Sequence, residues 1–316
     1  MKILITGVHG FVGSNLVAYL AKDNEIYGID IIAPEKEGIV KTYSWDDLDA
    51  DIIGELDAII HLAGKAHDTK NQAAADVYFK VNRDLTIKMF DYFCAHPNIK
   101  KFVFFSTAKA AADKVDGVLT EDIVPAPVGP YGESKIAAER YILNSLESRK
   151  EEFTNRGVYI FRPCMIHGPG NKGNLNLLYN VVRKGIPWPL GAFENRRTFT
   201  SVENICFAVC GVITKDIESG IYNMGDDEAL STNELIEEIC ESLGKKAHIW
   251  KLPKGLMNGV AKVGGWLHLP LNPERLRKLT ESYISSNAKI KKALCVEKMP
   301  VDARQGLKAT LESFKS

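Results

Sequence analysis

Apolar positions along the chain fall into short dense runs separated by stretches of helical spacing. Ile3-Leu4-Ile5 opens the series as a buried strand, and Val12, Leu16, Val17 and Leu20 then recur at helical intervals. Ile26-Tyr27-Gly28-Ile29 reads as a second strand, and Ile39-Val40-Lys41-Thr42-Tyr43 as a weak third. The acidic stretch from Trp45 to Leu56 predicts a short helix. Ala58-Ile59-Ile60-His61-Leu62-Ala63-Gly64 is a fourth strand that ends in small residues. From Asp76 to His96, the residues Val77, Val81, Leu85, Met89 and Phe93 mark one stripe of a long helix, which Pro97 ends. Lys101-Phe102-Val103-Phe104-Phe105-Ser106-Thr107 is a fifth strand, apolar enough to be buried on both faces. A loop holding Pro125, Pro127 and Pro130 leads to Tyr131, a helix from Gly132 to Leu146, and a sixth strand, Val158-Tyr159-Ile160-Phe161-Arg162-Pro163. Strands alternating with helices predict an α/β chain with a parallel, doubly wound sheet.

Beyond Pro163 the pattern changes. His167 to Gly173 is a glycine- and proline-rich loop, followed by a helix from Asn174 to Lys184 and a second punctuated loop holding Pro187, Pro189 and Gly191. Ser201 caps an apolar helix from Ile205 to Ile213, Ile221 to Met224 is a strand, and Ser231 caps a helix that runs to Leu243. The last stretch is less regular. The expected division is a first domain of residues 1–165, with 199–224 returning to it, and a smaller, mostly helical lobe of 166–198 and 225–316. No run approaches the ~18 apolar residues of a membrane-spanning helix. The nearest, Leu256 to Leu267, is interrupted by Asn258, Lys262 and glycines and reads as a packed helix rather than a membrane contact.

Charge and cysteine content narrow the classes. The 316 residues carry 40 basic and 40 acidic side chains, so no basic excess supports nucleic-acid binding. Six scattered cysteines lack paired spacing and read as free thiols of a reducing cytoplasm. A strand at the very start of the chain predicts no secretory leader. His61, His67 and His167 lie outside any metal-ligand spacing, so no metal is expected.

Two motifs carry chemistry. Gly7-x-x-Gly10-x-x-Gly13 lies between strand and helix, where glycine lets the backbone approach a pyrophosphate and the helix N-terminus offers N–H groups. Asp30 ends the second strand, at the distance of an acid that binds adenosine ribose hydroxyls; it can equally be a turn residue. No arginine follows it, which favours NAD over NADP. The second motif is Tyr131-Gly132-Glu133-Ser134-Lys135. Residues i and i+4 share a helix face, so the ammonium of Lys135 can favour the phenolate of Tyr131 and make it a general base or acid. Thr107, at the end of the fifth strand, can hold the same reacting oxygen.

Together these residues resemble the extended short-chain dehydrogenase/reductases that act on nucleotide sugars. The likeness rests on the glycine turn, Asp30, His61-Leu62-Ala63-Gly64, Ser106-Thr107, Tyr131-x-x-x-Lys135, Arg162-Pro163 and His167-Gly168-Pro169-Gly170, in family order. It implies a Rossmann-type fold and a catalytic set of Thr107, Tyr131 and Lys135. It implies cofactor contacts at Gly7, Gly10, Phe11, Val12, Gly13, Asp30, Leu62, Ala63, Gly64, Asn82, Tyr131, Lys135 and Arg162. The segment Gly173-Asn174-Leu175, the Pro187–Gly191 loop with Trp188, and Arg196-Arg197 resemble UDP-glucose 4-epimerases and 4-keto-reductases that make 6-deoxy-N-acetylhexosamines for surface polysaccharides. The implied substrate contacts are Lys109, Asn174 and Arg197, with Trp188 near the pyrimidine and one further basic residue from Arg275, Arg277 or Lys278. We take Arg275 as its representative. Dehydratases of the family carry an acid pair where this chain has Ala108 and Lys109, so dehydration is set aside. Relatives dimerise through the helices around Asn82–Phe93 and Ser134–Leu146, so a homodimer is expected. The expected activity is NAD-dependent oxidation and reduction at C4 of a UDP-sugar. A non-catalytic nucleotide sensor is the rival, and such a protein has no use for the tyrosine–lysine pair.

Overall fold

Burial on both faces decides the core. The strands β1 (Lys2–Thr6), β2 (Glu25–Ile29), β3 (Lys41–Tyr43), β4 (Ala58–His61) and β5 (Lys101–Phe105) are followed by a short β6 (Val118–Leu119) and by β7 (Gly157–Pro163), every residue of which is buried. The computed structural model describes residues 1–49, 53–65, 74–171, 173–267 and 271–315. β8 (Met165–His167), β9 (Phe199–Ser201), β10 (Gly220–Met224) and β11 (Ile284–Ser285) complete the strands. Seven of them form one parallel sheet in the order β10-β7-β5-β4-β1-β2-β3. The reversal of strand order lies between β1 and β4, where a doubly wound sheet opens its ligand crevice.

The helices are α1 (Phe11–Leu20), α2 (Trp45–Asp49), α3 (Ala75–Tyr78), α4 (Leu85–Ala95), α5 (Ala108–Ala111), α6 (Pro130–Ser148), α7 (Asn174–Arg183) and α8 (Val202–Thr214). Five more follow: α9 (Thr232–Ser242), α10 (Lys254–Trp266), α11 (Pro273–Thr280), α12 (Ala288–Leu294) and α13 (Ala303–Ser313). One apolar cluster packs α1, α8 and α12 on one face of the sheet, and a second packs α4 and α6 on the other. A third, separate cluster joins α7, α9, α10, α11 and α13 into the C-terminal lobe.

Three departures from the sequence expectation have physical reasons. The long helix after β4 contains a π turn, Phe79–Asp84. Around it the inward positions are Tyr78, Asn82 and Thr86 in place of Val77, Val81 and Leu85, with Val77 exposed, whereas Met89 and Phe93 further along are buried as the stripe predicts. His167 belongs to a strand, β8, which pairs with β9 and so closes the excursion that begins with the glycine-rich loop and includes α7. The tail beyond residue 243 is helical rather than irregular, because the lobe core supplies burial that weak local periodicity does not reveal.

Candidate active site

The glycine turn is built as its spacing requires. Gly7 sits at φ +68°, and a Cβ there would meet the Ala63 backbone at 3.2 Å. A Cβ on Gly13 would lie 2.4 Å from the Gly7 carbonyl oxygen, so α1 could not approach the turn with any larger residue. No side chain caps α1, and Phe11 and Val12 form its first turn, leaving backbone N–H groups for an anion. Thr6 Oγ1 accepts from the N–H groups of Leu62 and Ala63 at 3.1 and 3.0 Å, which draws the ends of β1 and β4 together. Asp30 accepts from the His9 N–H at 3.0 Å and from the Ile31 N–H at 2.7 Å. Its carboxylate is thereby held beside the turn. The bare glycine cradle, the uncapped helix and the fixed acid fit a dinucleotide.

Thr107 lies two residues beyond β5 and caps α5, its Oγ1 accepting from the Lys109 N–H at 3.3 Å. Tyr131 follows Pro130 in the first turn of α6, where proline costs no hydrogen bond. The Tyr131 and Thr107 side chains are hydrogen-bonded, and the Tyr78 ring stands edge-on to Tyr131 at 6.3 Å. One turn along, Lys135 is buried and donates to the Phe105 carbonyl at 2.8 Å. A Cβ on Gly64 would come within 3.1 Å of Lys135 Nζ and 3.0 Å of Asn82 Oδ1, so glycine keeps this floor open. Asn82 bonds Ser134 Oγ at 3.0 Å and the Lys65 N–H at 2.7 Å, linking the π turn, the end of β4 and α6.

Burial lowers Lys135 to about 8, against the raising influence of Glu139. Burial also pushes the Tyr131 phenol above its ordinary value, against the hydrogen bond from Thr107. The sequence reading has Lys135 depressing that phenol; here burial outweighs every charge near it, and the ammonium is turned to Phe105. A cationic nicotinamide beside this pair would favour the phenolate further.

Arg162 is corrected in role. Its guanidinium is buried against Glu139, with Nη2 and Nε donating to the carboxylate at 2.5 and 3.1 Å, so its side chain braces α6, which leaves the expected cofactor contact to the backbone that follows it. Ser106 Oγ donates to the same carboxylate. Glu139 escaped the sequence reading, although its spacing continues the series Tyr131, Lys135, Glu139 along one helix face. His61 is likewise structural: buried between Thr6 and Thr86 at 2.8 and 3.0 Å, it is held to about 3, mainly by burial. His167 bonds Thr310 and Asp226 in the interior, and His67 lies outside the described residues.

The lobe contributes a cationic cavity lined by Lys109, Arg197, Arg277 and Lys278 with Asp113, Glu281 and Tyr283. Lys109 Nζ and Arg277 Nη2 both reach Asp113, at 2.7 and 3.5 Å, and Arg197 donates to the Lys278 carbonyl. Arg197, an expected diphosphate contact, lines this cavity. Arg275 is not among the lining residues: it precedes Arg277 by two residues, about 200° of helical rotation, and points elsewhere. Arg277 and Lys278, the other two candidates for the further basic residue, do line it; Asp113 and Tyr283 were not anticipated. Asn174 begins α7, exposed and not among the lining residues. Trp188 packs in the lobe core rather than in an open pocket. Arg196 pairs with Glu234 at 2.9 Å. Among the described residues no cluster suits a metal ion, and no helix is long and apolar enough to cross a membrane.

Residues 3–225 match the sequence model of the NAD dependent epimerase/dehydratase family. A UDP-glucose 4-epimerase of Vibrio cholerae is 29% identical over 270 residues, covering 80% of this chain and 78% of that protein. An N-acetyl-alpha-D-glucosaminyl-diphospho-ditrans,octacis-undecaprenol 4-epimerase of Escherichia coli O157:H7 is 27% identical over 298 residues, covering 92% and 85%. The solved structure of MoeE5 in complex with UDP-glucuronic acid and NAD has the same fold, with a TM-score of 0.77 at 21% identity over 100% of this chain and 99% of that one. The glycine cradle at β1, the Tyr131–Lys135 pair and the family match agree, and the chain belongs to the NAD-dependent epimerase/dehydratase enzymes of the short-chain dehydrogenase/reductase class.

Proposed function

We propose that this enzyme is a 4-epimerase of UDP-linked hexoses or N-acetylhexosamines. The observation that carries this reading is the Tyr131 hydroxyl, hydrogen-bonded to Thr107 just beyond β5 with Lys135 one turn away. A dinucleotide would be held across Gly7–Gly13, by Asp30 at its adenosine ribose and by Asn82 and Lys135 toward its nicotinamide end. What NAD supplies there is a reversible hydride acceptor. Tyr131 takes the proton of the sugar 4-hydroxyl, Thr107 holds that oxygen, and Lys135 stabilises the phenolate by its charge. Loss of hydride from C4 and proton from its oxygen leaves a 4-keto sugar; their return on the opposite face gives the epimer. Arg197, with Arg277 and Lys278, pairs with the diphosphate, for which arginine forks are suited.

A second reading, reduction of a 4-keto-6-deoxy sugar, uses the same Thr107, Tyr131 and Lys135. Tyr131 then donates its proton in one direction only. Incubation with UDP-glucose, UDP-N-acetylglucosamine and a UDP-4-keto-6-deoxy sugar, with and without NADH, followed by NMR of the products, separates the two. Epimerisation without added NADH supports the first reading; no product from any UDP-sugar overturns both. We carry the homodimer through α4 and α6, and a cytoplasmic location, as parts of the same proposal.

A further inference from the structure

One buried side chain connects the cationic cavity to the residue that caps α5. Tyr283, in the segment between α11 and β11, lines the cavity with Arg197, yet it is only 7% exposed. Its backbone runs beside Arg197. The Tyr283 N–H donates to the Arg196 carbonyl at 2.8 Å, and the Tyr283 carbonyl accepts from the Thr198 N–H at 2.9 Å. On the other edge Leu230 exchanges two backbone hydrogen bonds with Arg197, each of 2.9 Å. The backbone of Arg197 is thereby held from both sides.

The side chain of Tyr283 runs the other way. Its hydroxyl lies 3.0 Å from the Ala108 carbonyl oxygen and 2.9 Å from that of Ala112, so its proton is shared between the first residue of α5 and the residue that ends it. The ring packs with Ala108, Ala111 and Leu119. Burial is the main cause that pushes this phenol above its ordinary value, which keeps it a donor. Thr107, whose side chain bonds Tyr131, immediately precedes Ala108 and caps α5. α5 also abuts the start of α6: a Cβ on Gly132, next to Tyr131, would lie 2.6 Å from the Lys109 carbonyl oxygen. Packing that close gives α5 little room to move without disturbing Thr107 and Tyr131.

A sugar diphosphate gripped by Arg197 and reacting at an oxygen held by Thr107 is fixed at two points. An error of about 1 Å in the span between them can cost on the order of 10²-fold in rate. We propose that Tyr283 is a positioning residue that sets this span, with its backbone on the diphosphate clamp and its hydroxyl on α5. Its part in turnover rests on the C4 reading above; the coupling of clamp and α5 does not.

The test uses the full enzyme with NAD. Tyr283→Phe keeps the ring and removes only the hydroxyl. It lowers kcat for the UDP-sugar about tenfold, with the dissociation constants of UDP and NAD at the parent values. In a Thr107→Ala background the same substitution has no further effect, because the group it places is gone. Hydrogen exchange supplies a readout that needs no turnover. UDP slows exchange of the 107–112 amides in the parent and leaves it unchanged in Tyr283→Phe, whose α6 amides exchange as the parent's do. Parental kcat in Tyr283→Phe, an equal loss in the Thr107→Ala background, or equal protection by UDP in both proteins overturns the proposal. A general rise in exchange across Tyr283→Phe overturns it too, since the hydroxyl then supports the whole fold. A parent that turns over no UDP-sugar but shows the difference in exchange overturns the C4 reading and leaves the coupling standing.

Discussion

The two halves of the site are made differently. Around Tyr131 the parts are buried and mutually braced: Lys135 on the Phe105 carbonyl, Asn82 on Ser134, Glu139 on Arg162 and Ser106. In the lobe the charged groups are long and largely exposed, and they meet through a few pairs such as Arg277 with Asp113. Proton transfer at one atom needs fixed geometry, whereas holding a diphosphate needs charge and tolerates motion. Substitutions in the first region are therefore expected to damage folding and turnover together, and those in the second to change substrate binding alone.

The strongest test of that contrast is Glu139→Ala. It leaves Arg162 buried and unpaired, a situation that costs about 3–5 kcal/mol. Denaturant unfolding should show a loss of that order, and Glu139→Gln, which keeps the hydrogen bonds without the charge, a smaller one. If Glu139→Ala unfolds like the parent, the braced half is not braced. Next in size is acid sensitivity. His61 is held to about 3, below its ordinary 6.5, so its contribution is complete above pH 6.5 and is lost as pH falls toward 3. Stability should decline by about 1.4 kcal/mol per pH unit in that window from this group, and His61→Gln should flatten the decline. Equal slopes in both proteins would remove His61 from the account. The smallest effect concerns the lobe. Arg277→Ala should raise KM for the sugar diphosphate about tenfold, leaving kcat and melting temperature near the parent values, since surface ion pairs contribute ~0–1 kcal/mol. A fall in kcat instead would place Arg277 with the chemistry and erase the distinction.

The same contrast governs what the sequence discloses. The β1–α1 turn is legible because glycines are dictated by backbone contacts within a few residues, as Gly13 against Gly7 illustrates. Tyr131 and Lys135 are legible because one helix sets their spacing. Arg277 is legible only as one of three basic candidates in its segment, and Asp113 and Tyr283, brought beside it only by the tertiary fold, carry no local mark. Arg162 misleads for a related reason: its neighbourhood in sequence is right, but a buried carboxylate from α6 claims the side chain. The helix after β4 is read correctly at Met89 and Phe93 and one residue early at Val77, Val81 and Leu85, around the π turn. Trp188 reads as a ligand-facing aromatic, yet the lobe core takes it.

The claim on which all of this depends is that the Tyr131 phenol exchanges the proton of the reacting sugar oxygen. Steady-state turnover of a UDP-sugar by Tyr131→Phe, measured beside the parent with an NAD titration on both, addresses it directly. The account predicts a loss of about 10²–10⁴-fold in kcat with NAD affinity unchanged. Turnover at the parental rate would contradict it.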